Sequence, residues 1–314
     1  MHPKSTILEE RIKEARRLFS SCELCGHKCR VDRENGEKGK CEAGSDLAVA
    51  SYTVHHGEEP YISGFKGSGT IFFSYCNLYC PFCQNSDISH GHKGETVTPK
   101  QLADMMMELQ WKGVHNINLV TPTHFMPLIL EALKIAYDDA LNIPIVYNTN
   151  GYDSMELLKL LDGIVDIYMP DIKYVDNALA EKYTNAKDYP KVAMEGIIEM
   201  HRQVGDLKLD EEDIAYKGLL VRHLVLPGQI DDSKKAVDFV AGISKDTVLS
   251  VMSQYSPQYK ACEYPEINRK LTEKEYWEVI KRVQEDGLQD YLVQEMGSSE
   301  VFLPDFDKEE PFEK

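Results

Sequence analysis

From Gly69 onward the chain alternates short apolar runs with amphipathic segments, and this rhythm restricts the possible folds more than any other feature. Strand-like runs fall at Gly69–Ser74, Asn116–Val120, Ile143–Thr149, Ile164–Ile172, Leu219–Leu226 and Thr247–Tyr255. Helical patterns separate them. Thr98 is an N-cap, Pro99 takes the first helical position and Gln101 completes a capping box, with Leu102, Met105, Met106 and Leu109 at helical spacing up to about Lys112. Further helices are expected over Met126–Asp139, over Ser154–Leu161 with Asp153 as cap, within 176–204, and over Asp232–Ile243. A second capping box at Thr272 and Glu275 precedes the stripe Tyr276, Val279, Ile280 and Val283. Six strand–helix units argue for an α/β fold with a parallel sheet and right-handed crossovers. An open six-unit barrel and a doubly wound sheet satisfy the pattern equally, and both gather functional residues at the carboxyl ends of strands.

Those ends hold the distinctive polar residues: Cys76, Thr121-Pro122-Thr123-His124, Asn148-Thr149-Asn150-Gly151, Asp171-Ile172-Lys173, Pro227-Gly228 and Gln254-Tyr255-Ser256. Behind the first strand, Cys76, Cys80 and Cys83 form a C-x3-C-x2-C loop. Three thiolates so close can hold three corners of an iron–sulfur cube, which normally takes four Cys ligands, so one iron is left open to a small molecule. The rival is a structural zinc site with His90 or His92 as fourth ligand. Upstream, Cys22, Cys25, Cys29 and Cys41 have metal-site spacing among Gly26, Gly36 and Gly39. Zinc and a second iron–sulfur cluster both suit them, because spacing alone does not identify the metal. Cys262 stands alone and reads as a plain buried thiol.

Eight cysteines grouped four, three and one, in a chain opening with charged residues and no apolar h-region, point to a reducing cytoplasm. No run approaches the length of a membrane span. A net charge of -17 repels phosphate backbones, so nucleic acid is not an expected partner. Residues 1–50 read as an N-terminal helix and four-cysteine metal-binding segment, 51–290 as the main α/β domain, and 291–314 as an acidic extension ending in a mobile tail. His55, His56, Glu58, Glu59 and His124 suit a solvated loop as well as a site. Arg222 and His223 alternate on the fifth strand, so one of them points inward.

The Cys76–Cys83 loop with Phe82 before its last Cys resembles the radical S-adenosylmethionine (SAM) superfamily. The stretch from Gly57-Glu58-Glu59-Pro60 to Cys83-Gln84-Asn85, together with Asn148-Thr149-Asn150-Gly151 and Met169-Pro170-Asp171-Ile172-Lys173, is similar to pyruvate formate-lyase activating enzymes and their uncharacterised relatives that carry an extra N-terminal four-cysteine segment. The resemblance implies a partial (β/α)6 barrel and an oxidoreductase. It implies a [4Fe-4S] cluster on Cys76, Cys80 and Cys83, with SAM chelating the fourth iron and yielding a 5′-deoxyadenosyl radical that abstracts hydrogen. It implies a SAM pocket drawn from Phe82, Thr121, Thr123, Asn148, Thr149, Met169, Asp171 and Lys173, with a cation site beside it. A flavodoxin- or ferredoxin-type electron donor and a glycyl-radical enzyme are the implied protein partners. Two departures stand out: Val120-Thr121-Pro122-Thr123-His124 replaces a Gly-Gly-Glu stretch, and Asn148 replaces an Asp, removing a charge from the cation site. A small-molecule or other protein substrate is the rival within the enzyme class. A non-catalytic iron–sulfur or zinc protein is the rival outside it.

Overall fold

The computed structural model describes residues 3–297, 303–308 and 311–312. Its helices are α1 (Pro3–Ser20), α2 (Pro60–Ser63), α3 (Ser86–Ser89), α4 (Pro99–Trp111), α5 (Met126–Asp138), α6 (Met155–Leu161), α7 (Asn177–Thr184), α8 (Tyr189–Val204), α9 (Ile230–Ile243) and α10 (Glu273–Glu285). Its strands are β1 (Leu47–His55), β2 (Ser68–Phe73), β3 (Glu95–Val97), β4 (Ile117–Val120), β5 (Ile145–Thr149), β6 (Ile167–Pro170), β7 (Lys208–Leu209), β8 (Ala215–Leu224), β9 (Val248–Met252) and β10 (Tyr291–Val293).

The sheet order is β10-β9-β8-β6-β5-β4-β2-β1-β3, with β7 paired to β8. From β2 to β10 every neighbouring pair along this path is parallel, whereas β1 pairs antiparallel with both β2 and β3. Each parallel strand lies beside the next one in the chain. Right-handed crossovers that always step the same way put every helix on one face, which curls the sheet into an open barrel. A doubly wound sheet would reverse direction once, and this one does not.

Strands β2, β5, β6 and β9 are buried along their whole length, as expected where helices cover one face and the barrel interior the other. Alternate residues of the strands point inward and form two layers. The lower layer is apolar: Val146, Ile167, Met169, Ala215, Leu220 and Val248 pack with Ile62 of α2. One pleat further toward the carboxyl ends stand Asn148, Asp171, Arg222 and Ser250. The interior therefore changes from dry to polar at that level.

Both expected capping boxes form, Thr98 with Gln101 and Thr272 with Glu275. The cap of α6 is a correction: Ser154, not Asp153, accepts the Leu157 N–H. The Asp153 carboxylate turns inward instead. Cys262 is exposed rather than buried. The acidic tail is not free where it is described, because Phe306 and Phe312 pack edge-on and tilted against Phe72. No helix among the described residues is long and apolar enough to cross a membrane.

Candidate functional site

At the carboxyl ends of the parallel strands lies a cleft of about 760 Å³. The loop after β2 forms one wall. Tyr75, at φ 69, turns the chain out of the strand, and its N–H is held by the Ile88 carbonyl at 2.8 Å. Cys76, Cys80 and Cys83 follow, and Cys80 and Cys83 line the cleft with Phe82, Gln84 and Asn85. The Lys260 N–H donates to Pro81 O (2.8 Å) and Gln84 Nε2 to Gln254 O (3.1 Å), which ties the loop to the far side of the barrel. Phe82 meets Tyr255 edge-on at 5.6 Å.

Burial pushes the Cys76 and Cys80 thiols up to about 12, and raises Cys83 as well. The Lys173 ammonium opposes this at all three. Cys76 Sγ also accepts the Leu78 N–H (3.3 Å) and Asn150 Nδ2 (3.4 Å). These thiols lose their protons when a metal replaces them, and the donors around them favour the charged form. Among the described residues no three Cys, His, Asp or Glu side chains converge closely enough to hold a single ion. His90 meets Tyr79 and Tyr259, and His92 stacks on Tyr75.

The opposite wall is a lattice of charges centred on Arg222. Its Nε donates to Asp171 Oδ1 (3.0 Å), its Nη2 to Asn148 Oδ1 (2.7 Å) and its Nη1 to Glu58 Oε2 (3.4 Å). Lys173 Nζ donates to the other Asp171 oxygen at 2.6 Å. Glu58 Oε1 accepts from Asn118 Nδ2 (3.0 Å) and Asn148 Nδ2 (3.4 Å). Burial acts to raise Asp171, but Lys173 and Arg222 outweigh it and hold the carboxyl below its ordinary value. Burial likewise opposes the charge on Lys173, and Asp171 reverses that. Burial raises the Glu59 carboxyl, helped by Glu58 and opposed by Arg222. Glu59 Oε2 has no hydrogen-bond partner among the described residues. The Arg222 guanidinium thus fills the space between Asn148 and Asp171.

Of the residues expected in the SAM pocket, Phe82, Asn148, Asp171 and Lys173 line the cleft. Thr123 Oγ1 and Thr149 Oγ1 instead donate to Asp153 at 2.7 and 2.6 Å, where Tyr147 OH also donates at 2.7 Å. Met169 belongs to the apolar layer below. Thr121 lies at the end of β4 with φ 55, and its N–H is held by Asn148 O at 2.9 Å. A β-branched residue rarely adopts that conformation, so the strand end is held against local preference. Glu58 and Glu59 are not a solvated loop, since their side chains are 10% and 9% exposed. Arg222 is the inward residue of its pair. His223 points away and donates from Nδ1 to Ile172 O at 2.6 Å. His124 is buried, donating from Nε2 to Ser74 O at 2.8 Å. His55 packs against Phe312.

Residues 70–240 match the family model of the radical SAM superfamily. The uncharacterised protein MJ0674 of Methanocaldococcus jannaschii is 34% identical over 296 residues, covering 91% of this chain and 80% of that protein. Among solved structures, Streptococcus suis SuiB bound to the precursor peptide SuiA aligns over 73% of this chain with a TM-score of 0.50 and 13% identity. SuiB bound to S-adenosylmethionine aligns with a TM-score of 0.45 and 12% identity, over 73% of this chain and 46% of that one. The alignment with the peptide complex covers 49% of SuiB, so this chain matches about half of that protein's length, and the likeness is one of fold.

Proposed function

The chain belongs to the radical SAM superfamily, and from that premise we propose that Cys76, Cys80 and Cys83 hold a [4Fe-4S] cluster and that the adjoining cleft binds SAM. The observation that carries this reading is the meeting, in one cleft, of an open three-thiol loop and a buried lattice of paired charges. When bound, the two groups supply a one-electron cleavage of SAM to methionine and a 5′-deoxyadenosyl radical, which abstracts a hydrogen atom from the substrate.

This chain's residues do the rest. Cys76, Cys80 and Cys83 supply three thiolates, one fewer than an iron–sulfur cube normally takes. Glu59 Oε2, buried and lacking a hydrogen-bond partner, offers an acceptor to an amine. Arg222 and Lys173, kept charged by Asp171, offer donors to a carboxylate. Phe82 presents an aromatic face to a purine. Apolar residues at the mouth, Phe72, Leu292, Val293 and Phe312, limit the entry of water. The cofactor does the difficult chemistry and the protein orients it.

The finer reading is activation of a glycyl-radical enzyme, with a glycine of that partner as hydrogen donor. It is supported by the resemblance of the strand-end motifs, and it requires a partner loop to enter past Gln294–Gly297, which border the cleft. That border favours a second reading, a small-molecule substrate, because the cleft is the size of an ordinary ligand pocket, roughly 300–1,000 Å³. Anaerobically reconstituted, dithionite-reduced protein should release 5′-deoxyadenosine from SAM, and Cys80→Ala should release none while keeping its fold. An active Cys80→Ala protein would refute the ligand assignment. The activase reading fails if the source genome encodes no glycyl-radical enzyme.

A further inference from the structure

The four thiols of the amino-terminal segment take no part in the cleft. Cys22, Cys25, Cys29 and Cys41 lie on turns between α1 and β1, where Lys28, Arg30 and Glu42 take positive φ values of 40, 57 and 59. A side chain at Gly39 would meet Cys29 Sγ at 2.9 Å. Backbone N–H groups are aimed at the sulfurs: Lys40 at Cys29 (3.3 Å), His27 at Cys25 and Ala43 at Cys41. The site loop repeats this arrangement where the Leu78 N–H meets Cys76. Donors placed so suit sulfurs that a bound metal has stripped of their protons.

A second observation points the same way. Arg33 is fully buried, with Nη1 3.9 Å from Cys41 Sγ. Its other donors go to Gly44 O (2.8 and 2.6 Å) and His124 O (3.1 Å), and its guanidinium lies over the Phe19 ring. No carboxylate lies within ion-pair distance of it among the described residues. A buried cation needs a counter-charge, and a metal-bound Cys41 sulfur supplies one.

The kind of metal is inferred from what the segment touches, because a closed zinc site would only brace these turns whereas an iron–sulfur cluster can pass an electron to a neighbour.

The segment is also pressed against the site loop. His27 Nε2 donates to Asn77 O at 2.9 Å, and Asn77 is the residue after Cys76. Tyr152 O accepts both the Gly26 N–H (3.2 Å) and Asn77 Nδ2 (3.1 Å). Cys25 thus reaches Cys76 across the three residues Gly26, His27 and Asn77 and one hydrogen bond.

We propose that Cys22, Cys25, Cys29 and Cys41 ligate a second iron–sulfur cluster, which relays electrons through the His27–Asn77 contact to the cluster on Cys76, Cys80 and Cys83. One electron leaves a reduced donor protein of the flavodoxin or ferredoxin class, lowers the first cluster by one oxidation level, and moves on to the second. No bond or proton changes on the way. The acceptor end rests on the reading of the cleft loop given above; the identity of the N-terminal metal does not.

Two measurements test this on the full chain, both without SAM, so failure of the SAM reading leaves them interpretable. The Cys76→Ala/Cys80→Ala/Cys83→Ala protein, reconstituted without air, should keep about four irons and four sulfides per chain and show the resonance of a reduced cluster. One zinc and no iron would overturn the proposal. With the donor protein as reductant, Cys25→Ala/Cys29→Ala should lose reduction of the remaining cluster while dithionite still reduces it. His27→Ala, which keeps every thiol, guards against misfolding of that variant and should slow donor-driven reduction alone. Wild-type rates in the His27→Ala protein would overturn the relay.

Discussion

Asp153 and Asp171 both lie just beyond the ends of adjacent parallel strands, Asp153 buried and Asp171 13% exposed at the cleft, yet their surroundings give them opposite roles. Asp153 is met by neutral hydroxyls, those of Thr123, Tyr147 and Thr149, and burial raises it above the ordinary carboxyl value. Asp171 is met by Lys173 and Arg222, and stays below that value although burial acts to raise it too. Hydroxyls satisfy a carboxylate without cancelling its charge, whereas cations hold it ionised. The first carboxylate braces the turn that carries Cys25, which bridges to it in register. The second faces the cleft.

Three substitutions can break this comparison. The largest effect is expected at Asp171→Ala, which strips Lys173 and Arg222 of their shared partner. Removing one member of a buried ion pair costs about 3–5 kcal/mol. SAM binding, followed by equilibrium dialysis, should be lost and the melting temperature should fall. Arg222→Met should follow at about 3 kcal/mol, because it leaves Asp171 with Lys173 alone and takes the paired cation from Glu58 and Glu59. If that variant bound SAM as tightly as the wild type, the charge lattice would be a scaffold only.

The smallest effect is expected at Asp153→Asn, about 1 kcal/mol, since an amide oxygen still accepts most of these bonds. Here pH separates the two residues. A carboxyl raised by folding adds stability that is complete below its unfolded value, near 3.8, and is lost as pH rises through the folded value. Asp171 has the reverse sign, with stability complete above 3.8 and lost only as pH falls below it. Melting curves between pH 4 and 7 should therefore show a stabilising trend toward acid that Asp153→Asn removes. An unchanged trend would mean that Asp153 is ionised throughout.

Much of the barrel can be read directly from the chain, because continuous apolar runs ending in polar residues identify strands buried on both faces. Thr98 and Thr272 announce their helices for local reasons, and local reasoning holds there. At Asp153 it fails: Asp153 and Ser154 are both good caps, and the choice is made by hydroxyls of β5 and of the turn after β4, one of them thirty residues away. Alternation says that Arg222 or His223 turns inward, but only the register of β8 against β6 and β9 decides which. The burial of Glu58 and Glu59 depends on α2 closing the barrel from below, and no local pattern reveals that. β1, β3, β7 and β10 lie outside the alternating pattern: β3, β7 and β10 are only two or three residues long, and β1 joins the sheet antiparallel ahead of the first strand–helix unit.

An unclosed barrel leaves its outermost strands with unpaired amides and carbonyls, a template for neighbouring molecules to add onto. Here those strands are β3 and β10, each three residues long, and β3 begins with an exposed Glu95. Such stubs give an incoming chain too few rungs to hold. The protein can thus keep a gap wide enough for a ligand without inviting polymerisation.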